Sequence, residues 1–135
     1  MERPRIDFSE VSRRLKALPK PPVEAIVGIR EGGVVPASLA AHQWDLPLYF
    51  LEINFRDPEN TPRYAAPQVL NQPKLLPPPG VPVLLVDDVC VSGQTMDTAR
   101  ALLGDRPVFT LVLKGKGDMV LFTEYPSCVT WPWKG

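Results

Sequence analysis

Seven of the chain's 17 prolines stand between Asp57 and Gly80, at positions 58, 62, 67, 73, 77, 78 and 79. Proline fixes φ and removes a backbone N–H, so helix interiors and central strands exclude it. Regular structure must therefore lie on either side of this connection, the 57–80 segment. A connection this long inside a compact domain is uncommon and is typically a lid, a binding loop or a disordered segment. A chain of 135 residues with 44% hydrophobic content suits one domain with one continuous fold, so residues 1–135 are taken as a single unit.

Outside this loop, helical and extended patterns alternate. Phe8, Val11, Leu15 and Leu18 recur at helical spacing, which predicts an amphipathic helix over Ser9–Leu18. Asp7 is placed to cap it, with Glu10 three residues on, and Pro19, Pro21 and Pro22 end it. Ala25–Ile29 reads as a short buried strand. Pro36 suits the first turn of a small-residue helix through Ala37, Leu39, Ala40, Ala41 and Trp44. Pro47–Phe55 predicts a second strand, and Val81–Val86 a third with no polar residue, as in a strand covered on both faces. Thr95–Leu103 is helical, and Pro107–Leu113 and Met119–Tyr125 are two more strands. The order predicts an α/β domain: a mostly parallel twisted sheet of about five strands with flanking helices, ligands binding at the carboxyl ends of the strands.

Several function classes are excluded early. Fifteen Lys and Arg balance fifteen Asp and Glu, which removes the basic excess a general nucleic-acid binder needs. No apolar run approaches the ~20 residues of a membrane span. The opening residues MERPRIDFSE lack the apolar core of a secretion signal, and the two cysteines, Cys90 and Cys128, cannot build a disulfide framework. A cytoplasmic location without membrane or nucleic-acid partners is expected.

The chemistry concentrates in Val83-Leu84-Leu85-Val86-Asp87-Asp88-Val89-Cys90-Val91-Ser92-Gly93-Gln94-Thr95. A buried strand runs into two acids, and a short Ser/Gly/Thr loop then opens a helix. A helix N-terminus offers unpaired N–H groups and the positive end of a dipole, which suits a phosphate. Gly93 allows close backbone approach, and Ser92 and Thr95 add hydroxyl donors. Asp87 and Asp88 would repel that phosphate, so they suit Mg²⁺ or the vicinal hydroxyls of a ribose. Together these parts describe a cradle for ribose 5-phosphate.

This run resembles the motif by which type I phosphoribosyltransferases bind 5-phosphoribosyl 1-pyrophosphate (PRPP). Val27-Gly28-Ile29-Arg30-Glu31-Gly32-Gly33-Val34-Val35-Pro36-Ala37 resembles that family's first-strand loop, which holds pyrophosphate. Lys114 stands where purine-using members hold the exocyclic oxygen of the base, and Pro132-Trp133 is similar to the closing Pro-Trp of small bacterial and archaeal xanthine/guanine members. The resemblance implies a fold with a lid over 57–80 and a small C-terminal hood from about residue 114. It implies transfer of phosphoribosyl from PRPP to a nucleobase, a purine in the nearest members, in nucleotide salvage. By that carry-over, Asp87 and Asp88 bind the ribose hydroxyls and Mg²⁺, with Arg63 and Tyr64 of the lid beside them. Val91, Ser92, Gly93, Gln94 and Thr95 hold the 5-phosphate. Arg30, Glu31, Gly32 and Gly33 hold pyrophosphate, with a non-proline cis peptide at Glu31–Gly32. Lys114, Cys128, Val129 and Trp131 face the base. PRPP, a nucleobase, Mg²⁺ and a second copy of the chain in a homodimer are the implied partners.

Three positions depart from the family pattern. Glu31 replaces the basic residue that usually precedes the glycine pair. Val91 replaces the acid that 6-oxopurine members carry three residues after the second acid, and a valine cannot act as a base. Cys128 stands where the aromatic that stacks on the purine would align. These departures keep an alternative open: a catalytically inactive PRPP- or nucleotide-binding regulator on the same fold. Trp131 and Trp133 fit either core packing or a base pocket. His42 reads as a surface residue, Cys90 as a packing residue, and Arg13, Arg14, Lys16 and Lys20 as a solvated helix face.

Overall fold

The computed structural model of the chain describes residues 4–54, 68–69, 75–90, 93–126 and 128–133. Among them the elements run α1 (Phe8–Lys16), β1 (Ala25–Arg30), α2 (Val34–Trp44), β2 (Leu48–Asn54), β3 (Gln68–Val69), β4 (Val83–Cys90), α3 (Gln94–Leu103), β5 (Val108–Gly115) and β6 (Met119–Val120). They form one sheet in the order β3-β2-β1-β4-β5-β6. β2, β1, β4, β5 and β6 are mutually parallel, and β3 pairs antiparallel with β2 at the edge. The predicted sheet of about five parallel strands is thus present, with one two-residue edge piece inside the 57–80 segment.

Each face of the sheet carries its own core, because successive side chains of a strand point to opposite faces. On one face Ile26, Leu84, Val86, Leu111 and Leu113 pack with Ala37, Ala40 and Ala41 of α2 and with Val11 and Leu15 of α1. On the other, Val27, Ile29, Leu51, Val83 and Leu85 pack with Met96, Ala99 and Leu103 of α3. Alanine along α2 lets that helix lie close to β1. A methyl group on Gly28 would stand 2.7 Å from the Ala37 Cβ and 3.0 Å from the Phe50 ring. The C-terminal segment closes the first core: Phe122, Val129 and Trp131 are buried in it. It is tied to the N-terminus by Thr130 N–H to Pro4 O (2.8 Å) and Ile6 N–H to Thr130 O (3.0 Å).

The structure departs most from the sequence expectation at four points. β4 continues past Val86 to Cys90, because β5 keeps pairing with it as far as Cys90–Gly115, so the two acids lie within the strand. α2 begins at Val34, and Pro36 occupies its third position, still inside the first turn where a missing N–H costs nothing. Met119–Tyr125 narrows to Met119–Val120. There Asp118 Oδ2 accepts from the Thr110 N–H (2.9 Å) and hydroxyl (3.1 Å), folding the chain back beside β5. Asp7 is the N-cap of α1, but its side chain makes no capping bond. Glu10 turns to Arg13 and Arg14 instead.

Candidate active site

In a parallel sheet, ligands bind beyond the carboxyl ends of the strands, where the chain order reverses direction. Here β2 lies on one side of β1, and β4 and β5 on the other, so the reversal falls between β1 and β4. The turn Glu31–Gly33 leaves the end of β1, and Asp87 and Asp88 lie toward the end of β4. The site is therefore assembled at the switch point by the fold itself.

The two strands meet through glycine. A Cβ on Gly32 would overlap all three carboxylate atoms of Asp88, and one on Gly33 would overlap the backbone oxygen of Val86. The β1 turn thus lies directly on the acids of β4. Within the turn, Gly33 N–H donates to Ile29 O (2.7 Å) and Val34 N–H to Glu31 O (3.0 Å). The Gly33 amide is consequently spent inside the protein. A non-proline cis peptide joins Arg30 to Glu31, one bond earlier than Glu31–Gly32, where the resemblance led us to expect it. Arg30 is half-exposed, its Nε 3.7 Å from Glu52 Oε1, and its guanidinium lies 5.7 Å from the Phe50 ring centre. Glu31 is exposed.

Asp87 is 9% exposed and accepts the Asp88 N–H at 2.8 Å; Asp88 Oδ1 in turn accepts the Val89 N–H at 2.8 Å. Backbone donors on the carboxylates fix their orientation without neutralising them. Two adjacent acids fit Mg²⁺, which dehydrates reluctantly and is held by one or two carboxylates together with substrate oxygens. Among the described residues no group of three or more His, Cys, Asp or Glu side chains forms a closed metal cage.

α3 begins beyond the acids. Gly93 is its N-cap at φ 85°, a left-handed conformation that glycine adopts without strain, and Gln94 and Thr95 form its first turn. Of the residues expected to hold a phosphate, Gly93, Gln94 and Thr95 therefore stand at the N-terminus of α3. Val91 and Ser92, the rest of the expected 5-phosphate set, lie outside the described residues, as do Arg63 and Tyr64 of the lid. On the far side, Lys114 is half-buried at the carboxyl end of β5, in register with Val89. Lys114, the acids and the β1 turn therefore share one edge of the sheet.

The remaining base-side expectations separate. Cys128 is exposed, whereas Val129 and Trp131 are core residues at 8% and 3% exposure. Trp131 packs on Phe122 with ring centres 5.6 Å apart and stacks on Trp133 at 5.8 Å and 8°. Of the two readings left open for these tryptophans, core packing is the one that the structure displays.

Sequence reasoning missed three contacts of the strands that carry the site. Glu52 stands opposite Arg30 in the β1–β2 register, a pairing that becomes visible once both strands are aligned. Gly115 (φ 110°) brings β5 so close to β4 that a Cβ would overlap the Cys90 carbonyl oxygen, which accepts the Lys116 N–H at 2.9 Å. Asp118 locks the following turn through Thr110; its Gly-Lys-Gly-Asp context was the available signal.

Comparison with known proteins bears on the family and the fold. A family model described as phosphoribosyl transferase domain matches residues 11–117. Among solved structures, a purine phosphoribosyltransferase from Pyrococcus horikoshii is similar over 100% of this chain and 96% of its own, at TM-score 0.77 and 20% identity. A xanthine-guanine-hypoxanthine phosphoribosyltransferase from Helicobacter pylori is similar over 83% of this chain and 77% of its own, at TM-score 0.62 and 20% identity. A Neisseria gonorrhoeae protein with bound ppGpp is similar over 97% of this chain and 82% of its own, at TM-score 0.65 and 22% identity.

Proposed function

The chain belongs to the phosphoribosyl transferase family, and from that premise we propose that it transfers the 5-phosphoribosyl group of PRPP to a ring nitrogen of a nucleobase, a purine, in nucleotide salvage. The observation that carries this reading is the contact of Gly32 with the Asp88 carboxylate at the switch point, which joins a pyrophosphate loop to a ribose-binding acid. The similarity to purine and xanthine-guanine-hypoxanthine phosphoribosyltransferases supports the choice of purine.

In the proposed reaction the bond between ribose C1 and the pyrophosphate oxygen breaks, and its electron pair leaves with pyrophosphate. A base nitrogen forms the new bond to C1 and loses its proton to water. The transition state has the character of an oxocarbenium ion, so orientation and charge stabilisation carry the catalysis. Asp87 and Asp88 accept hydrogen bonds from the ribose hydroxyls and fix the sugar. Gly93, Gln94 and Thr95, with Val91 and Ser92, anchor the 5-phosphate at the α3 N-terminus. The Glu31–Gly33 turn and Arg30 meet the leaving pyrophosphate. Lys114 donates to an exocyclic oxygen of the base. Arg63 and Tyr64 are proposed to cover the site from the lid. Mg²⁺, held at Asp87 and Asp88, would neutralise charge on the leaving group.

A second reading, a nucleotide-binding regulator without turnover, draws support from Glu31 and Val91 and from the similarity to the Neisseria protein with bound ppGpp. One experiment separates them. The protein is incubated with PRPP, Mg²⁺ and a panel of purine and pyrimidine bases, and nucleotide and pyrophosphate are measured. Turnover with a purine supports the enzyme; micromolar PRPP binding with no turnover on any base supports the regulator. Asp88→Asn and Thr95→Ala should each weaken PRPP binding, and unchanged binding in both would remove the cradle assignment.

A further inference from the structure

The reaction as described uses Arg30 at the end of β1 but gives no role to Glu52 opposite it. Arg30 and Glu52 are register partners on parallel neighbours, so both side chains leave the same face of the sheet. Phe50 lies on that face two residues earlier, its ring packed against Gly28, and the Arg30 guanidinium stands beside it. The Arg30–Glu52 separation of 3.7 Å is that of an ion pair without a hydrogen bond, and the side chains are 50% and 30% exposed. Such a pair is weak because water screens it. Glu31 follows at once on the loop and is also exposed. These three side chains carry two negative charges and one positive. A highly charged anion arriving at Gly32 meets an arginine already paired with one carboxylate and followed in the chain by a second.

We propose that Arg30 and Glu52 form an exchangeable ion pair: Glu52 is the resting counter-ion of Arg30, and pyrophosphate displaces it on binding. This rests on the transferase reading above. A guanidinium presents a planar fork that matches phosphate oxygens in a bidentate way, which one carboxylate at 3.7 Å does not exploit. Phe50 keeps the guanidinium near the loop during the exchange. Glu52 and Glu31 then act together to weaken retention of the product, so pyrophosphate leaves a site that would otherwise hold a highly charged anion tightly.

The test is direct binding of inorganic pyrophosphate with Mg²⁺ to the full chain by calorimetry, with ribose 5-phosphate titrated separately. Four proteins are compared with the parent: Arg30→Gln, Glu52→Gln, Glu31→Gln and the Arg30→Gln/Glu52→Gln double variant. Removing one exposed competing carboxylate should tighten pyrophosphate by about threefold to fivefold in Glu52→Gln, and this gain should fade at high salt. Glu31→Gln should tighten it in the same direction. Arg30→Gln should weaken it by about tenfold or more, the scale of a lost charge-assisted contact. In the double variant the Glu52→Gln gain should disappear, since the cycle isolates their coupling. A merely structural Glu52 would instead lower the melting temperature and the affinity together. If the parent binds ribose 5-phosphate but Glu52→Gln leaves pyrophosphate affinity unchanged or lower, the exchangeable pair is overturned and the transferase reading stands. If the parent binds neither compound, the transferase reading fails and takes the pair with it.

Discussion

Gly32 is the residue on which the site depends most directly. Nothing in its backbone demands glycine by a left-handed conformation; the demand is for space, because the Asp88 carboxylate occupies the place of a Cβ. Gly32→Ala should therefore fold and yet displace Asp88, weakening PRPP binding by at least about tenfold, since a displaced ribose contact costs on the order of one charged hydrogen bond. Calorimetry with PRPP checks it, and circular dichroism confirms the fold. A different residue-scale expectation concerns acid. Hydrogen bonds from Arg14 hold the Glu124 carboxyl down at about 2, against an ordinary 4.5. The Arg13 and Arg14 side chains lower Glu10 in the same way. A carboxylate with a depressed folded pKa contributes stability that is complete above its unfolded value and is lost as pH falls toward the folded one. The melting temperature should thus drop between about pH 4.5 and 2, and Glu124→Gln should flatten part of that drop. An unchanged profile in Glu124→Gln would mean that the Arg14 contact carries no pH dependence. The basic run read from sequence as a solvated face is in fact a clamp at Arg14, which lies over the Phe122 ring at 4.2 Å and donates to Leu121 O. Charge alone could not show this, because its partners Leu121 and Glu124 are more than a hundred residues away.

At the scale of elements, the central strands and the helices were legible from periodicity, since each buries a side chain pattern that only one geometry satisfies. The continuation of β4 through Asp87 and Asp88 was not, because acids in a strand look like its end until the pairing with β5 is known. The weak edges, β3 and β6, are two-residue elements made by neighbours rather than by their own sequence. The motif at the α3 entry and the glycine turn after β1 were legible because their chemistry is local. Their mutual contact is a property of the sheet order. The proline-rich connection has a counterpart to these contacts where it rejoins the sheet. Arg106, just past α3, donates to Pro77 O through Nε (3.0 Å) and Nη2 (2.6 Å), and to Leu103 O at 2.8 Å. Proline carbonyls on an irregular stretch have no ladder partner to offer these bonds, so the arginine supplies them. Arg106→Ala should destabilise the protein by about 2 kcal/mol, as hydrogen bonds from a charged donor to half-buried carbonyls are lost. Chemical denaturation reads this as a lower midpoint at unchanged slope.

At the scale of the whole molecule, the two ends of the chain complete one core. The strand-like contact of Arg5 with Thr130 brings the N-terminus to the C-terminal segment, and α1 covers both. Trp131 sits at this junction, between Phe122 and Trp133, at 3% exposure. The Pro-Trp similarity pointed to this segment as the base-side hood, and the same residues can serve either as roof of a pocket or as lid of the core. The two roles predict different consequences of Trp131→Ala. As a core residue, its truncation leaves a cavity and costs about 3–5 kcal/mol. For a domain of this size that corresponds to a fall in melting temperature of roughly 10 °C or more. The folded fraction should still bind ribose 5-phosphate with unchanged affinity, because the cradle at α3 lies on the other face of the sheet. As a base-stacking residue, truncation would leave stability nearly intact and raise the KM for the base. Thermal melting and a base titration on the same preparation decide between them. The packing of Trp131 into the Phe122 cluster leads us to expect the large loss of stability and an unchanged KM for the base.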